Sequence, residues 1–121
     1  MTNSKITNKY DLEERTAEFG EQVIKFCKEV PVTIVTGSII RQLVRSATSV
    51  GANYCEADDA ESRKDFKHKI GITKKEAREA KHWLRMLATA IPRLNNEIRP
   101  LWVEAKELNL IFNAIINSCR K

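Results

Sequence analysis

The residues that could carry chemistry are concentrated between residues 63 and 85. This segment holds nine lysines and arginines against three carboxylates, a net charge of +6 in a chain whose total is +5. At about 100° per residue, several of these cations fall on one face of a helix. Such a row could bind the phosphates of RNA or DNA over roughly 27 Å, and the alternative is an ordinary solvated face. The candidate nucleic-acid-binding residues are Lys67, Lys74, Arg78, Lys81 and Arg85.

Three patterns in the same segment could instead support an enzyme. Asp65 and His68 give D-x-x-H, and Glu79 and His82 give E-x-x-H, the pattern found in di-iron bundles. Such a centre needs motifs on two helices, whereas these lie on one helix roughly 21 Å apart. Arg63 and His68 also fit R-x4-H, which resembles the minimal motif of helical HEPN-type ribonucleases but arises readily by chance in a basic helix. We therefore expect no enzyme, no catalytic residue, no metal and no cofactor, and keep a helical ribonuclease as the weakest alternative.

The elements that would position these residues are helices. The 121 residues suffice for one core, and only four glycines and three prolines interrupt them. Val32 to Val35 is the only strand-like run, and one strand cannot form a sheet. Short connections predict a single up-down-up-down four-helix bundle over residues 10–121, after a flexible lead-in at 1–9. Periodicity and capping signals place the helices at about Tyr10–Glu29, Thr36 or Ser38 to Ala57, Ser62–Ala90 and Asn96–Cys119.

The polar stripe of the second helix predicts contacts with the third. An antiparallel hairpin turning near residues 60–61 would place Arg45 opposite Glu76 or Glu79, in a partly buried pair. The alternative is a loose pairing across a surface groove, which would contribute little to stability. Gly51 weakens the second helix, and the close approach of another backbone would explain it. The predicted structural polar network comprises Gln42, Arg45, Ser49, Asn53, Glu56, Glu76 and Glu79.

Other features bound the environment of the chain. Cys27, Cys55 and Cys119 lack C-x-x-C spacing and are interpreted as reduced core residues of a cytosolic protein. No apolar signal region or membrane-spanning run is visible, so we expect a cytoplasmic location without a membrane partner.

No aromatic residue interleaves with the basic row, and Trp83 is expected between helices, so base stacking is not indicated. Pro100 is acceptable only near the first turn of the fourth helix.

The segment Gln42–Ala57, QLVRSATSVGANYCEA, resembles the signature of the four helix bundle proteins related to the 23S rRNA intervening-sequence protein, also called S23-like proteins. The resemblance covers about residues 10–119 and continues through SRKDF, KEAREA, HWLRML and EAKEL. The pair Tyr54-Cys55 departs from the commoner aliphatic-Ala pair, which affects packing. The family is similar to the accessory variability protein of diversity-generating retroelements, a basic homopentameric barrel that binds nucleic acid and a reverse transcriptase. The resemblance thus implies an all-α bundle without known catalytic residues, a ring-like homo-oligomer with pentamer as the implied state, and a nucleic acid or a reverse transcriptase as partners.

Two non-enzymatic functions remain open on these grounds. A binding module would hold nucleic-acid phosphates with the basic row, giving affinity that lacks sequence preference and falls with salt. A structural or adaptor protein would self-assemble through the wide apolar surfaces of the second and fourth helices and bind a protein partner without nucleic acid. We expect the first, as an accessory factor, and the two are compatible.

Overall fold

The computed structural model describes residues 11–119, which form four α-helices and no strand. The predicted all-α class with four helices is confirmed, and the predicted lead-in at residues 1–9 lies outside the described residues. A 3-10 turn, Pro92–Leu94, joins the last two helices. The helices are α1 (Leu12–Cys27), α2 (Ile34–Asp58), α3 (Arg63–Ala90) and α4 (Asn95–Ser118).

Side-chain caps fix the starts of α1 and α3, which lie within two residues of the predicted starts. The Asp11 carboxylate accepts a hydrogen bond from the backbone N–H of Glu14 at 3.2 Å. The Ser62 hydroxyl accepts one from the backbone N–H of Asp65 at 3.0 Å. Each cap satisfies an N–H that has no partner within its helix.

The start of α2 differs from its predicted position. The helix begins at Ile34, so Ile34 and Val35 of the strand-like run lie in its first turn, and Val32 and Thr33 precede it. Thr33 is the cap: its hydroxyl accepts from the N–H of Thr36 at 3.1 Å, and the Thr36 hydroxyl accepts from the N–H of Thr33 at 2.7 Å. This reciprocal pair compensates for the low helix propensity of the β-branched residues.

The core lies along one side of each helix. The largest contact is between α2 and α3, followed by α3 with α4 and α1 with α2, while α1 touches α4 over a small surface. Because α3 packs on both α2 and α4, two of its sides are fixed by neighbours and a third is left outside. The large side chains at the centre of the core are Phe19, Leu43, Ile70, Leu84, Leu108 and Phe112.

Gly51 lies against the backbone of α1, which is the close approach that its presence in the second helix predicts. A Cβ at this position would lie 3.5 Å from the carbonyl carbon and oxygen of Thr16 and 3.6 Å from the nitrogen of Ala17. These are ordinary van der Waals distances, so alanine would fit and a longer side chain would push α1 away.

The prediction that all three cysteines are core residues was wrong. Only Cys27 of the three cysteines is buried, and burial raises the pKa of its thiol to about 11. Cys55 is exposed because it lies three residues before the end of α2, at a groove between α1 and α2. Pro100 is the sixth residue of α4 and lies just after its first turn, close to the predicted position. It is tolerated because Asn96, whose carbonyl loses its helical donor, is exposed to water.

None of the four helices is long and apolar enough to cross a membrane, a finding that covers residues 11–119.

Candidate nucleic-acid interface

The outward side of α3 carries the predicted row of cations, which we call the basic ridge: Lys67, Lys74, Arg78, Lys81 and Arg85. The side of the helix that lies roughly 100° around the axis from the ridge is fully buried, with Ile70, Ala77 and Leu84 at its centre. Three members of the ridge are exposed, while Lys74 and Lys81 are half-buried. The ridge is therefore accessible from outside the chain.

The cations of the ridge are not neutralised within the described residues. The ion pairs between residues 11 and 119, defined by a nitrogen–oxygen distance up to 4.0 Å, involve Arg15, Arg45 and Lys69. None of them includes a member of the ridge. Asp65, Glu76 and Glu79 belong to the same helix but lie away from this face.

The ridge also places like charges next to one another. Lys74 and Arg78, Arg78 and Lys81, and Lys81 and Arg85 are three or four residues apart, the spacing at which helix side chains meet. No member of the ridge has a carboxylate residue at either spacing. Each like-charge pair costs roughly 0.2–0.5 kcal/mol in an isolated helix. An anion from outside the chain would relieve this repulsion.

The edge of α3 that faces α2 carries the predicted contact with Arg45. The guanidinium lies 3.3 Å from Glu76 and also binds Glu79. Its Nε donates to the Gln42 side-chain oxygen at 3.4 Å, and Trp83 donates its indole N–H to Glu79 at 3.0 Å. The hydrogen bond from Trp83 and the pairing with Arg45 lower the pKa of Glu79. This edge is structural, because its carboxylates already have partners.

The remaining members of the predicted polar network do not join this cluster. The Ser49 hydroxyl donates to the carbonyl of Arg45 at 2.7 Å, and the Asn53 amide donates to the carbonyl of Ser49 at 2.9 Å. Short side chains of this kind readily bond their own helix backbone. Glu56 instead pairs with Lys69 at 2.7 Å, nearer the α2–α3 turn.

Sequence reasoning missed an aromatic residue beside the ridge. Trp102 of α4 is half-buried, and the ammonium of Lys81 lies 5.6 Å from its ring centroid. Lys106 lies 5.5 Å from the same centroid on the α4 side. The sequence of α3 gives no sign of Trp102, because this residue belongs to another helix. The α3–α4 register would have revealed it, and that register is set by the hydrogen bond from the Asn109 amide to the Lys74 carbonyl at 3.0 Å.

Two grooves flank the ends of the ridge. One, of about 410 Å³, lies between the end of α3 and the start of α4. Its floor is apolar, with Leu84 and Ile98 almost fully buried. It is lined further by Arg85, Ala88, Asn95, Asn96, Arg99 and Trp102.

The other groove, of about 460 Å³, lies at the start of the ridge. Lys64, Lys67 and Lys75 line it together with His68. A Cβ on Gly71 would meet nothing within 4 Å, so the groove is open there.

The residues of the enzyme-like patterns are not assembled into a centre. Arg63, His68 and His82 are exposed on α3, and no group of three metal-ligating side chains occurs between residues 11 and 119. Arg63 and His68 are five residues apart, which places them roughly 140° apart around the helix.

A further ion pair, also missed from sequence, joins the first and last helices. Arg15 forms a fork with Glu104, with Nε–Oε2 and Nη2–Oε1 distances of 2.7 and 2.8 Å. The same Nη2 lies 2.9 Å from Glu107. The hydrogen bonds to Glu104 are the main cause of a raised pKa of Arg15. Arg15 thus pairs with Glu104 and Glu107, which lie on the side of α4 away from the ridge.

Comparison with known proteins identifies the family. Residues 8–114 match the family described as 23S rRNA-intervening sequence protein. The chain belongs to this family. A similar solved structure is the crystal structure of a protein with unknown function from the S23 ribosomal protein family of Bacteroides thetaiotaomicron. It is 30% identical, aligns over 86% of this chain and 96% of its own, and superposes with a TM-score of 0.76. Among curated proteins, none matches the sequence.

Proposed function

We propose that this 23S rRNA-intervening sequence family protein is a non-enzymatic accessory factor that binds RNA or DNA through the phosphate backbone. The observation that carries the proposal is the basic ridge, whose five cations share one accessible face and lack carboxylate partners among residues 11–119. Phosphate contacts of this kind position a nucleic acid without reading its sequence.

The ridge sets the expected salt dependence. If all five cations contact phosphates, log K should fall with log salt at a slope of about −3.5 for a single strand or −4.5 for a duplex. Affinity should then drop roughly 100- to 500-fold between about 50 and 200 mM salt. If the ridge is only a solvated surface, the protein should show no measurable binding to nucleic acid, and no salt slope can be determined.

Charge reversal tests the proposal directly. Lys67→Glu with Arg78→Glu changes two exposed members of the ridge and should flatten the slope by about 1.4 to 1.8. The matched control, Lys25→Glu with Lys28→Glu, makes the same change in net charge at exposed sites at the end of α1. If both double variants weaken binding equally, net charge rather than the ridge is responsible. If the unmodified protein does not bind at low salt, the proposal fails.

We also propose the finer architecture: an up-down-up-down bundle that assembles into a ring-like homo-oligomer. Contacts between consecutive helices support the first part. The second is supported by apolar side chains left outside, with Ile34 94% and Val32 77% exposed at the start of α2 and Leu110 58% exposed on α4. The family resemblance implies a pentamer. Light scattering of the full chain measures the subunit number, and a monomer at all concentrations contradicts the assembly.

The alternative is an adaptor that assembles and binds a protein partner, for which a reverse transcriptase is the candidate implied by the resemblance. The same exposed apolar side chains favour it. Light scattering with and without RNA separates the two proposals, because an adaptor alone would be oligomeric yet unchanged by RNA. The weaker ribonuclease alternative predicts that RNA is cleaved and that His68→Ala abolishes the cleavage.

A further inference from the structure

The groove between the end of α3 and the start of α4 differs from the rest of the ridge in having an aromatic wall. Trp102 lines it together with Arg85 and Arg99, one from each helix. Neither arginine has a carboxylate within 4.0 Å among the side chains that the structure describes. The groove therefore combines an indole and an apolar floor with unpaired positive charge.

We infer that this groove holds an unpaired nucleotide, with its base against Trp102 and its flanking phosphates at Arg85 and Arg99. The inference rests on the proposed function and deepens it, because it names single-stranded nucleic acid as the preferred ligand. A duplex buries the faces of its bases in the stack, so only an unpaired base can lie flat on an aromatic side chain.

The charges around Trp102 fit this ligand. The ammonium groups of Lys81 and Lys106 approach the ring at 5.6 and 5.5 Å and bring two like charges to one indole. Contacts of this kind are weak at exposed sites, and both side chains are long and flexible, so a base can displace them. Once displaced, they remain within reach of the phosphates that enter with the base.

The polar residues of the groove suit the edge of a base. Asn95 and Asn96 are exposed at the start of α4, and each amide offers two donors and an acceptor. An alkyl chain or an apolar helix would leave these amides and the two arginines without partners. The combination therefore favours a nucleotide over a segment from a second copy of the chain, which is left as an outcome of the test.

The test compares short single strands with duplexes of the same sequence, using RNA and DNA in separate arms and the full-length protein. Unmodified protein should bind the single strand more tightly. Trp102→Leu should weaken single-strand binding about fivefold or more while duplex binding changes less than about twofold. Trp102→Phe should restore most of the affinity, because it keeps an aromatic face. A preference for RNA would add a contact to the 2′-hydroxyl, and equal binding of DNA would show that base and phosphate suffice.

Tryptophan fluorescence provides an independent readout, because the chain has two tryptophans. A base stacked on Trp102 should quench emission in the unmodified protein and in Trp83→Phe, and quenching should disappear in Trp102→Phe. If Trp102→Leu does not fold, as judged by circular dichroism, Arg99→Glu takes its place and should weaken single-strand binding more than duplex binding.

Specific results would overturn the inference. Equal affinity for single strands and duplexes, or quenching that survives Trp102→Phe, would remove the stacked base while leaving the ridge intact. A change in oligomer size on Trp102→Leu without a change in affinity would assign the groove to a contact between copies. Absence of any nucleic-acid binding would refute the proposed function and this inference together.

Discussion

Arg15 allows a stability prediction that can be worked out from distances and exposure. We consider Arg15→Met, Glu104→Gln and the double variant. The Arg15 side chain is 20% exposed, and its guanidinium makes two parallel hydrogen bonds to Glu104, whose side chain is 30% exposed. Because α1 meets α4 over a small surface, this pair is a large part of the direct connection between the first and last helices.

The magnitude follows from the partial burial of the pair. Exposed ion pairs contribute about 0.2–1 kcal/mol, and hydrogen bonds to charged groups that are out of water contribute about 1.5–3 kcal/mol. A forked pair that is mostly but not fully buried should lie between them, so we expect a coupling energy of about 1–2 kcal/mol. Arg15→Met alone should then lower the melting temperature by about 4–8 °C for a chain of this length. Glu107, at 55% exposure, should couple less strongly.

Chemical denaturation at one fixed protomer concentration measures the four free energies of unfolding of the double-mutant cycle. High salt should reduce the coupling only in part, because partly buried pairs are screened less than exposed ones. Lys69→Gln serves as the control, since it removes an ion pair at a more exposed position and should have no measurable effect. A coupling energy near zero, or an equal loss from Lys69→Gln, would refute the reasoning from geometry and burial.

Three further changes have outcomes fixed by local geometry. Trp83 and Arg45 lower the pKa of Glu79 in the folded chain. The Glu79 carboxylate therefore stabilises the fold above its unfolded pKa of about 4.3, and this stabilisation is lost as the pH falls through the lower folded pKa. In Glu79→Gln, acid titration should show a shallower loss of stability. Gly71→Ala enters open space within α3 and should raise the free energy of unfolding by about 0.5–1 kcal/mol. Gly51→Leu should instead lower it by about 1–3 kcal/mol, because its side chain meets the backbone of α1.

Each of these changes has its own control. Unchanged acid sensitivity in Glu79→Gln would show that other carboxylates dominate the acid transition. Gly51→Ala, whose methyl group fits at van der Waals distance, should be neutral or slightly stabilising by urea denaturation. A destabilised Gly71→Ala would mean that something outside the chain approaches α3 at this point.

Local signals were sufficient to predict the helices. The period of the apolar residues fixed which side of α3 is buried, and short-range caps such as Asp11 and Ser62 fixed where helices begin. The contact of Arg45 with α3 was also predictable, because a hairpin with a short turn determines which positions face each other. These features depend on neighbours that are close in sequence or joined by one tight connection.

The missed features depend on contacts between residues distant in the chain. Arg15 and Glu104 are 89 residues apart, and no periodicity in α1 or α4 indicates that they meet. Trp102 reaches Lys81 across the α3–α4 interface, at a register that depends on how the 3-10 turn is built. The early start of α2 is a different failure, since a Thr33–Thr36 capping pair outweighed the β-branched composition of that turn.

The arrangement of ion pairs bears on the ridge itself. Three ion pairs each join two different helices: Arg15 with Glu104, Arg45 with Glu76, and Lys69 with Glu56. Their carboxylates are therefore already paired at helix interfaces. Consecutive cations from Lys74 to Arg85 are three or four residues apart, roughly 4.5–6 Å along the axis. This is less than the Debye length of about 8 Å at physiological salt, so their potentials overlap instead of being screened separately. A chain of phosphates therefore interacts with the whole row as one continuous positive surface, whereas a single small anion interacts with only part of it.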